Sequence, residues 1–242
     1  MRVAMWSGPR NISTALLRSW ESRDDCCVSD EPLYAHYLHV TGLEHPLRDA
    51  VLAAGETDAA RVVAALLGPP PEPRAIWYQK HMAHHLLPDT PRDWVPRLRN
   101  ALLLREPRAM IASLARALGR PPRLEETGLP QQVELFECLV RGGTRPPVLL
   151  SEDVLAAPEP MLRALCAALG VPFATTMLRW RAGPRASDGV WGAHWYASVN
   201  ASTGFVAPTS RRDPRLSAEL EAVADAARPL FERLAAERLR AR

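Results

Sequence analysis

At 242 residues, 47% hydrophobic and 24% charged, the chain has the composition of an ordinary globular protein and enough length to bury about 70% of its unfolded surface in one α/β domain. No segment approaches the roughly 20 uninterrupted apolar residues of a membrane helix, and a formal net charge of +3 is too small to imply a nucleic-acid surface. The first strand begins within two residues of Met1 with no basic, apolar and cleavable leader before it, so the expectation is a cytoplasmic protein with no membrane association.

The chain opens on Val3-Ala4-Met5-Trp6, short, apolar and strand-like. From Ser13 to Trp20 the residues Ala15, Leu16, Leu17 and Trp20 recur at helical spacing. Between them lies Ser7-Gly8-Pro9-Arg10-Asn11-Ile12. A strand, a tight loop and a helix start leave the first helical N–H groups unpaired and aimed beyond the strand end, with the positive end of the helix dipole, which suits phosphate or sulfate. Cys26-Cys27-Val28-Ser29 reads as a second strand stopped by Pro32, placing the acidic pair Asp30-Glu31 at its end. The segments 34–40 and 49–67 read as helical, and the Gly68-Pro69-Pro70-Pro71 run stops them. A third strand, 75–79, ends at Lys80-His81-Met82-Ala83-His84-His85, and Lys80 is the only lysine in the chain.

Asn100-Ala101-Leu102-Leu103-Leu104 is the continuous apolar run of a doubly covered parallel strand and ends at Arg105-Glu106-Pro107. A helix with Met110, Ile111, Leu114 and Leu118 on one face follows. Residues 131–140 read as another helix, Val148-Leu149-Leu150 as a buried strand ending at Ser151-Glu152-Asp153, and 161–169 as a helix capped by Gly170. Residues 179–210 lack periodicity but carry Trp180, Trp191, Trp195 and Tyr196. A last amphipathic helix is expected over about 213–240, its end marked by Arg233, Arg238, Arg240 and Arg242. The 23 prolines gather at 69–73, 121–122 and 146–147 as loop punctuation, and the four cysteines read as buried thiols, with neither a paired framework nor a CxxC pattern.

Strand alternating with helix predicts a single α/β domain over 1–242, three layers on a central parallel sheet. In such sheets ligands bind beyond the carboxyl ends of the strands. A Walker A loop needs Gly-Lys-Ser/Thr, whereas this loop ends Ile12-Ser13-Thr14, so a Mg-ATP-dependent kinase or triphosphatase is the weaker enzyme reading. His81, His84 and His85 have the spacing of one helix face, but no further zinc ligand accompanies them, so no metal is expected.

Several ordered blocks resemble the sulfotransferases that use 3′-phosphoadenosine 5′-phosphosulfate (PAPS). Pro9-Arg10-Asn11-Ile12-Ser13-Thr14-Ala15-Leu16 is similar to that family's phosphosulfate loop, with Ile12 where the family usually has glycine. Arg105 with Ser113 eight residues on is similar to its 3′-phosphate pair, and Lys80-His81 ahead of Leu86-Leu87-Pro88 to its Lys-x-His strand end, here without the intervening residue. Ser151-Glu152-Asp153-Val154-Leu155 and the group Arg181, Gly183, Gly189 and Trp191 resemble later blocks.

The resemblance implies a P-loop-like fold and transfer of a sulfuryl group from PAPS to a hydroxyl or amine of a small-molecule acceptor, releasing adenosine 3′,5′-bisphosphate. It implies that Arg10, Asn11, Ser13 and Thr14 hold the 5′-phosphosulfate, that Arg105 and Ser113 hold the 3′-phosphate, and that Lys80 stabilises the bridging oxygen. His81 is the candidate base and Glu31 the alternative. A catalytically silent nucleotide-binding protein is the remaining reading. The acceptor pocket is expected around 34–46, 120–129 and the aromatic segment.

Overall fold

The computed structural model describes residues 1–206 and 214–241. Five strands, β1 (Arg2–Ser7), β2 (Cys26–Asp30), β3 (Ile76–Met82), β4 (Arg99–Leu104) and β5 (Val148–Leu150), pair in parallel in the order β2-β3-β1-β4-β5. The helices among the described residues are α1 (Ser13–Glu21), α2 (Tyr34–Thr41), α3 (Arg48–Ala54), α4 (Ala59–Leu67), α5 (Pro107–Leu118), α6 (Leu129–Arg141), α7 (Ser151–Ala156), α8 (Pro158–Leu169), α9 (Gly192–Trp195), α10 (Ala197–Asn200) and α11 (Ala218–Ala235). None of them is long and apolar enough to cross a membrane.

Helices cover both sheet faces, which is why the strands read as apolar runs and not as alternating ones. Strand pleating sends Val3, Met5 and Tyr78 into one layer with Leu16, Leu17 and Trp20 of α1 and Leu162 and Leu165 of α8. Ala4, Trp6 and Trp77 enter the other layer with Val62 of α4, Met110 and Ile111 of α5, Leu135 and Phe136 of α6, and Ala227 of α11. The three-layer α/β/α architecture is the one the alternation of elements predicts. The chain leaves β1 for β2 on one side and later reaches β4 on the other side of β1. The connections diverge there, opening a crevice above the carboxyl end of β1.

Four sequence expectations need correction. The third strand runs to Met82, so Lys80 and His81 lie within β3, paired across from Met5 and Trp6. The 49–67 segment is two helices, because Asp58 caps a new one by accepting from the backbone N–H groups of Ala60 and Arg61. Ser151-Glu152-Asp153 opens α7 instead of closing a strand. The final helix starts at Ala218, capped by the Ser217 hydroxyl, and ends at Ala235; Asp213 and Arg242 lie outside the described residues. Residues 179–206 form a strap around α9 and α10, pinned at its base by the antiparallel bridge Arg179↔Gly204 and tied to α1 by Arg18, whose guanidinium meets Asp188 and Asn200 at 2.7 and 3.2 Å.

Candidate functional site

The loop between β1 and α1 is shaped by close approach. A Cβ at Gly8 would lie 2.3 Å from the Thr127 carbonyl oxygen, so only glycine fits beneath the turn that precedes α6. The Gln132 carboxamide donates to the Trp6 and Leu103 carbonyls at 3.0 and 3.1 Å, and the Asn11 carboxamide donates to Leu103 at 3.2 Å. The Asn11 amide nitrogen thus anchors the loop, while its Oδ1 has no hydrogen-bond partner among the described residues. Arg10 and Ile12 take left-handed φ of 62° and 60°. For a β-branched residue this costs about 1–2 kcal/mol, and Ile12 offsets it by packing its side chain on the core face that holds Leu16. The turn that glycine would make is therefore made by isoleucine. No side chain caps α1, so its first N–H groups stay open to the crevice.

A cationic end follows. Arg105 Nη1 donates to the Arg10 carbonyl at 2.5 Å, and Arg10 Nε donates to the Ser113 hydroxyl at 3.2 Å. The structure therefore brings Arg10, Arg105 and Ser113 together, with Ser13 and Thr14 lining the same cleft. Burial, aided by Arg105 and Arg116, holds the Arg10 guanidinium below its ordinary value. Burial does the same to Arg105, with Arg116 and against the carboxylates of Glu152 and Glu106. Neither Arg10 nor Arg105 forms a salt bridge among the described residues. At the start of α7, Glu152 Oε1 accepts from the Glu106 N–H at 3.3 Å, and Asp153 faces Arg238 at 3.7 Å.

A cleft of about 580 Å³ runs from this loop past Glu31 and Lys80 to a wall of Tyr34, Tyr37, His45, His84, His85 and Trp195. Lys80 is 1% exposed, and its Nζ donates to Asp30 Oδ1 at 2.8 Å, Glu31 Oε1 at 2.6 Å and the Tyr196 hydroxyl at 2.7 Å. Burial would lower its pKa, but Asp30 and Glu31 outweigh that and hold the ammonium above its ordinary value. Glu31 moves up from the usual carboxylate range: burial raises it, Lys80 opposes and Asp30 adds to the rise.

His81 is not brought to the cleft. Alternation along β3 sends Lys80 and Met82 to the cleft side and His81 to the opposite layer, where its ring stacks on Trp6 at 4.3 Å and meets Trp94 at 5.8 Å. Its Nε2 lies 3.3 Å from Gln79 Oε1, and burial alone pushes the imidazole down to about 3. A neutral, enclosed ring of this kind is a packing residue. His84 and His85 belong to a short 3₁₀ turn, not to a helix shared with His81; His85 is sandwiched between Tyr34 and Tyr37, each at 4.8 Å. Among the described residues no cluster of three or more His, Cys, Asp or Glu is arranged to hold a metal.

Sequence reasoning missed the roles of Asp30 and Tyr196. Asp30 pairs directly across from Lys80 in the β2–β3 register. Its signal was legible as an acid pair at a strand end beside the lone lysine. Tyr196 had none beyond its place in an aromatic-rich segment.

Across residues 1–238 the chain matches the family model described as Sulfotransferase domain. Two Arabidopsis thaliana proteins, branched-chain-amino-acid aminotransferase-like proteins 1 and 2, are 38% and 35% identical to it over 206 residues, 85% of this chain. The chain spans 37% and 36% of their lengths, little more than a third. Among solved structures, the sulfotransferase from Alicyclobacillus acidocaldarius superposes with a TM-score of 0.56 at 16% identity, covering 97% of this chain and 94% of that one. The sulfotransferase domain from the curacin biosynthetic pathway superposes at 0.55 with 16% identity, covering 93% and 96%. These likenesses carry the fold. With a family match over residues 1–238 and a parallel sheet in the order β2-β3-β1-β4-β5, the chain belongs to the sulfotransferase family.

Proposed function

We propose that the protein transfers a sulfuryl group from PAPS to a hydroxyl or amine of a small-molecule acceptor. The observation that carries this is the cationic end of the cleft: Arg10 and Arg105, half-buried, joined through the Arg10 carbonyl and without a salt bridge among the described residues, beside the uncapped start of α1. Such a cradle is completed by an anion. Bound there, PAPS supplies an activated sulfuryl group with adenosine 3′,5′-bisphosphate as the departing part. Arg10, Ser13, Thr14 and the first α1 N–H groups hold its 5′ end, and Arg105 with Ser113 holds the 3′-phosphate. The cleft then leads to the aromatic wall, which excludes water and orients the acceptor.

Glu31 is the general base of this proposal. It lines the cleft, Lys80 and Tyr196 both engage its Oε1 at 2.6 and 3.4 Å, and nothing among the described residues hydrogen-bonds its Oε2. A carboxylate raised toward neutrality is better matched to taking a hydroxyl proton than one at its ordinary value. The test is turnover of sulfur-labelled PAPS against a panel of phenols, alcohols and amines. Wild type is expected to label at least one of them, Glu31→Gln to lose about 10²–10⁴-fold in kcat, and His81→Ala to keep its pH–rate profile. Loss confined to His81→Ala would overturn the choice of base.

A further inference from the structure

Nζ of Lys80 has three hydrogens, and three acceptors meet them: Asp30 Oδ1, Glu31 Oε1 and the Tyr196 hydroxyl, at 2.8, 2.6 and 2.7 Å. An ammonium held this way has no hydrogen left for a sulfuryl or phosphate oxygen. The acceptors are not equivalent. The Asp30 side chain is 1% exposed; its Oδ2 accepts from the Tyr196 hydroxyl at 2.6 Å and from the Gly189 N–H at 3.4 Å. The Tyr196 oxygen in turn accepts from Trp191 Nε1 at 3.0 Å. Asp30, Tyr196 and Trp191 thus close on one another. Glu31 stands at the edge of that ring, with a left-handed φ of 41°, its Oε1 on Lys80 at 2.6 Å and only a longer 3.4 Å contact to the Tyr196 hydroxyl, and its carboxylate at the cleft.

We propose that Asp30 and Tyr196 are positioning residues that hold Lys80 by two of its hydrogens, while the third passes from Glu31 to the oxygen that gains charge during transfer. This rests on the sulfuryl-transfer reading above. In the step, a lone pair of the acceptor oxygen or nitrogen forms the bond to sulfur. The bond from sulfur to the phosphate oxygen breaks, its electron pair leaves on the bisphosphate, and the acceptor's proton goes to Glu31 Oε2. Protonation removes the negative charge from Glu31, so its contact with the Lys80 ammonium changes from an ion pair to a weaker bond between a cation and a neutral carboxyl group. The freed hydrogen turns to the departing oxygen at the moment charge develops there. The strap carrying Gly189, Trp191 and Tyr196 thereby fixes the reacting cation as well as covering the cleft.

The lone lysine makes the test clean, because protein grown on ¹⁵N-lysine carries one labelled side-chain ammonium. Tyr196→Phe and Asp30→Asn are expected to speed hydrogen exchange of that signal about tenfold or more. Glu31→Gln is expected to shift the signal and leave it protected by the other two partners. All three variants should bind adenosine 3′,5′-bisphosphate within about threefold of wild type, which also reports that they fold. With PAPS and 4-nitrophenol as probe acceptor, Tyr196→Phe should lower kcat about 10- to 100-fold, the usual cost of losing an orienting partner, at unchanged KM for PAPS and move the acid limb of the pH–kcat profile. The groups that face Glu31 are Asp30 on β2, Lys80 on β3 and Tyr196 between α9 and α10, which act on its titration, and Tyr34 on α2, which Glu31 raises; Lys80 in turn lowers the buried His85. An unchanged lysine signal and kcat in Tyr196→Phe would overturn the positioning role, as would bisphosphate affinity falling in step with kcat. If the lysine signals behave as expected but wild type transfers sulfate to no phenol, alcohol or amine, the sulfuryl-transfer reading fails and the exchange step fails with it, while the anchoring stands.

Discussion

Lys80, Glu31 and His81 show how little a residue's type says without its direction. Two neighbours on β3 face opposite layers: the ammonium enters a buried acidic cluster and the imidazole lies flat on an indole. Truncating His81 removes a stacked ring from the core, so His81→Ala is expected to lower stability by about 2–4 kcal/mol, read as a fall in denaturant midpoint. Lys80→Met strands Asp30 and Glu31 without a counter-charge and should cost about 3–5 kcal/mol by the same measurement. For Glu31 the sign is opposite. Its carboxyl titrates above the usual range in the folded protein, so its contribution is fully favourable below the unfolded value and is lost as pH rises through the folded one. Glu31→Gln is therefore expected to melt at or above wild type at pH 8, with the difference vanishing toward pH 4. A variant less stable than wild type at pH 8 and equal at pH 4 would contradict the direction given to Glu31. Loss of stability where activity is gained is the usual mark of a working site.

The β1–α1 loop is the element on which the site depends, and its conformation is enforced from outside. Gly8→Ala places a methyl group 2.3 Å from the Thr127 carbonyl oxygen, a backbone atom with little freedom to retreat. The expected result is a loss of about 1–3 kcal/mol in stability with at least a tenfold weaker grip on adenosine 3′,5′-bisphosphate, measured by chemical denaturation and calorimetry; unaltered affinity would mean that the loop does not hold the anion. Much of the element map was legible because strands covered on both faces need uninterrupted apolar runs, as in Leu102-Leu103-Leu104. The far end of β3 was not. Gln79, Lys80 and His81 are polar residues made tolerable in a buried strand by Leu66, Asp30 and Trp6, partners distant in sequence. Ile12 was readable as a departure from glycine, but the packing that lets it keep a left-handed turn belongs to the folded core.

Across the whole molecule the cleft is assembled from segments that composition cannot connect. The meeting of Arg10, Arg105 and Ser113 was legible, since they sit at predicted strand ends and on the following helix, and parallel topology gathers strand ends by rule. The opposite wall was not, because Tyr196 reaches Asp30 across 166 positions and the strap that carries it has no periodicity to read. A ligand spanning both ends binds only the folded chain. The bisphosphate at about 100 times its Kd should add about 2.7 kcal/mol, a melting shift on the order of 5–10 °C for a chain of this size. The most direct measurement is a calorimetric titration with adenosine 3′,5′-bisphosphate in the presence of a chelator, set against ATP with magnesium. Saturable, metal-independent binding of the bisphosphate, weakened at least tenfold in Arg105→Ala, is expected of the cradle formed by Arg10, Arg105 and α1. Magnesium-dependent binding of ATP with no heat from the bisphosphate would contradict it.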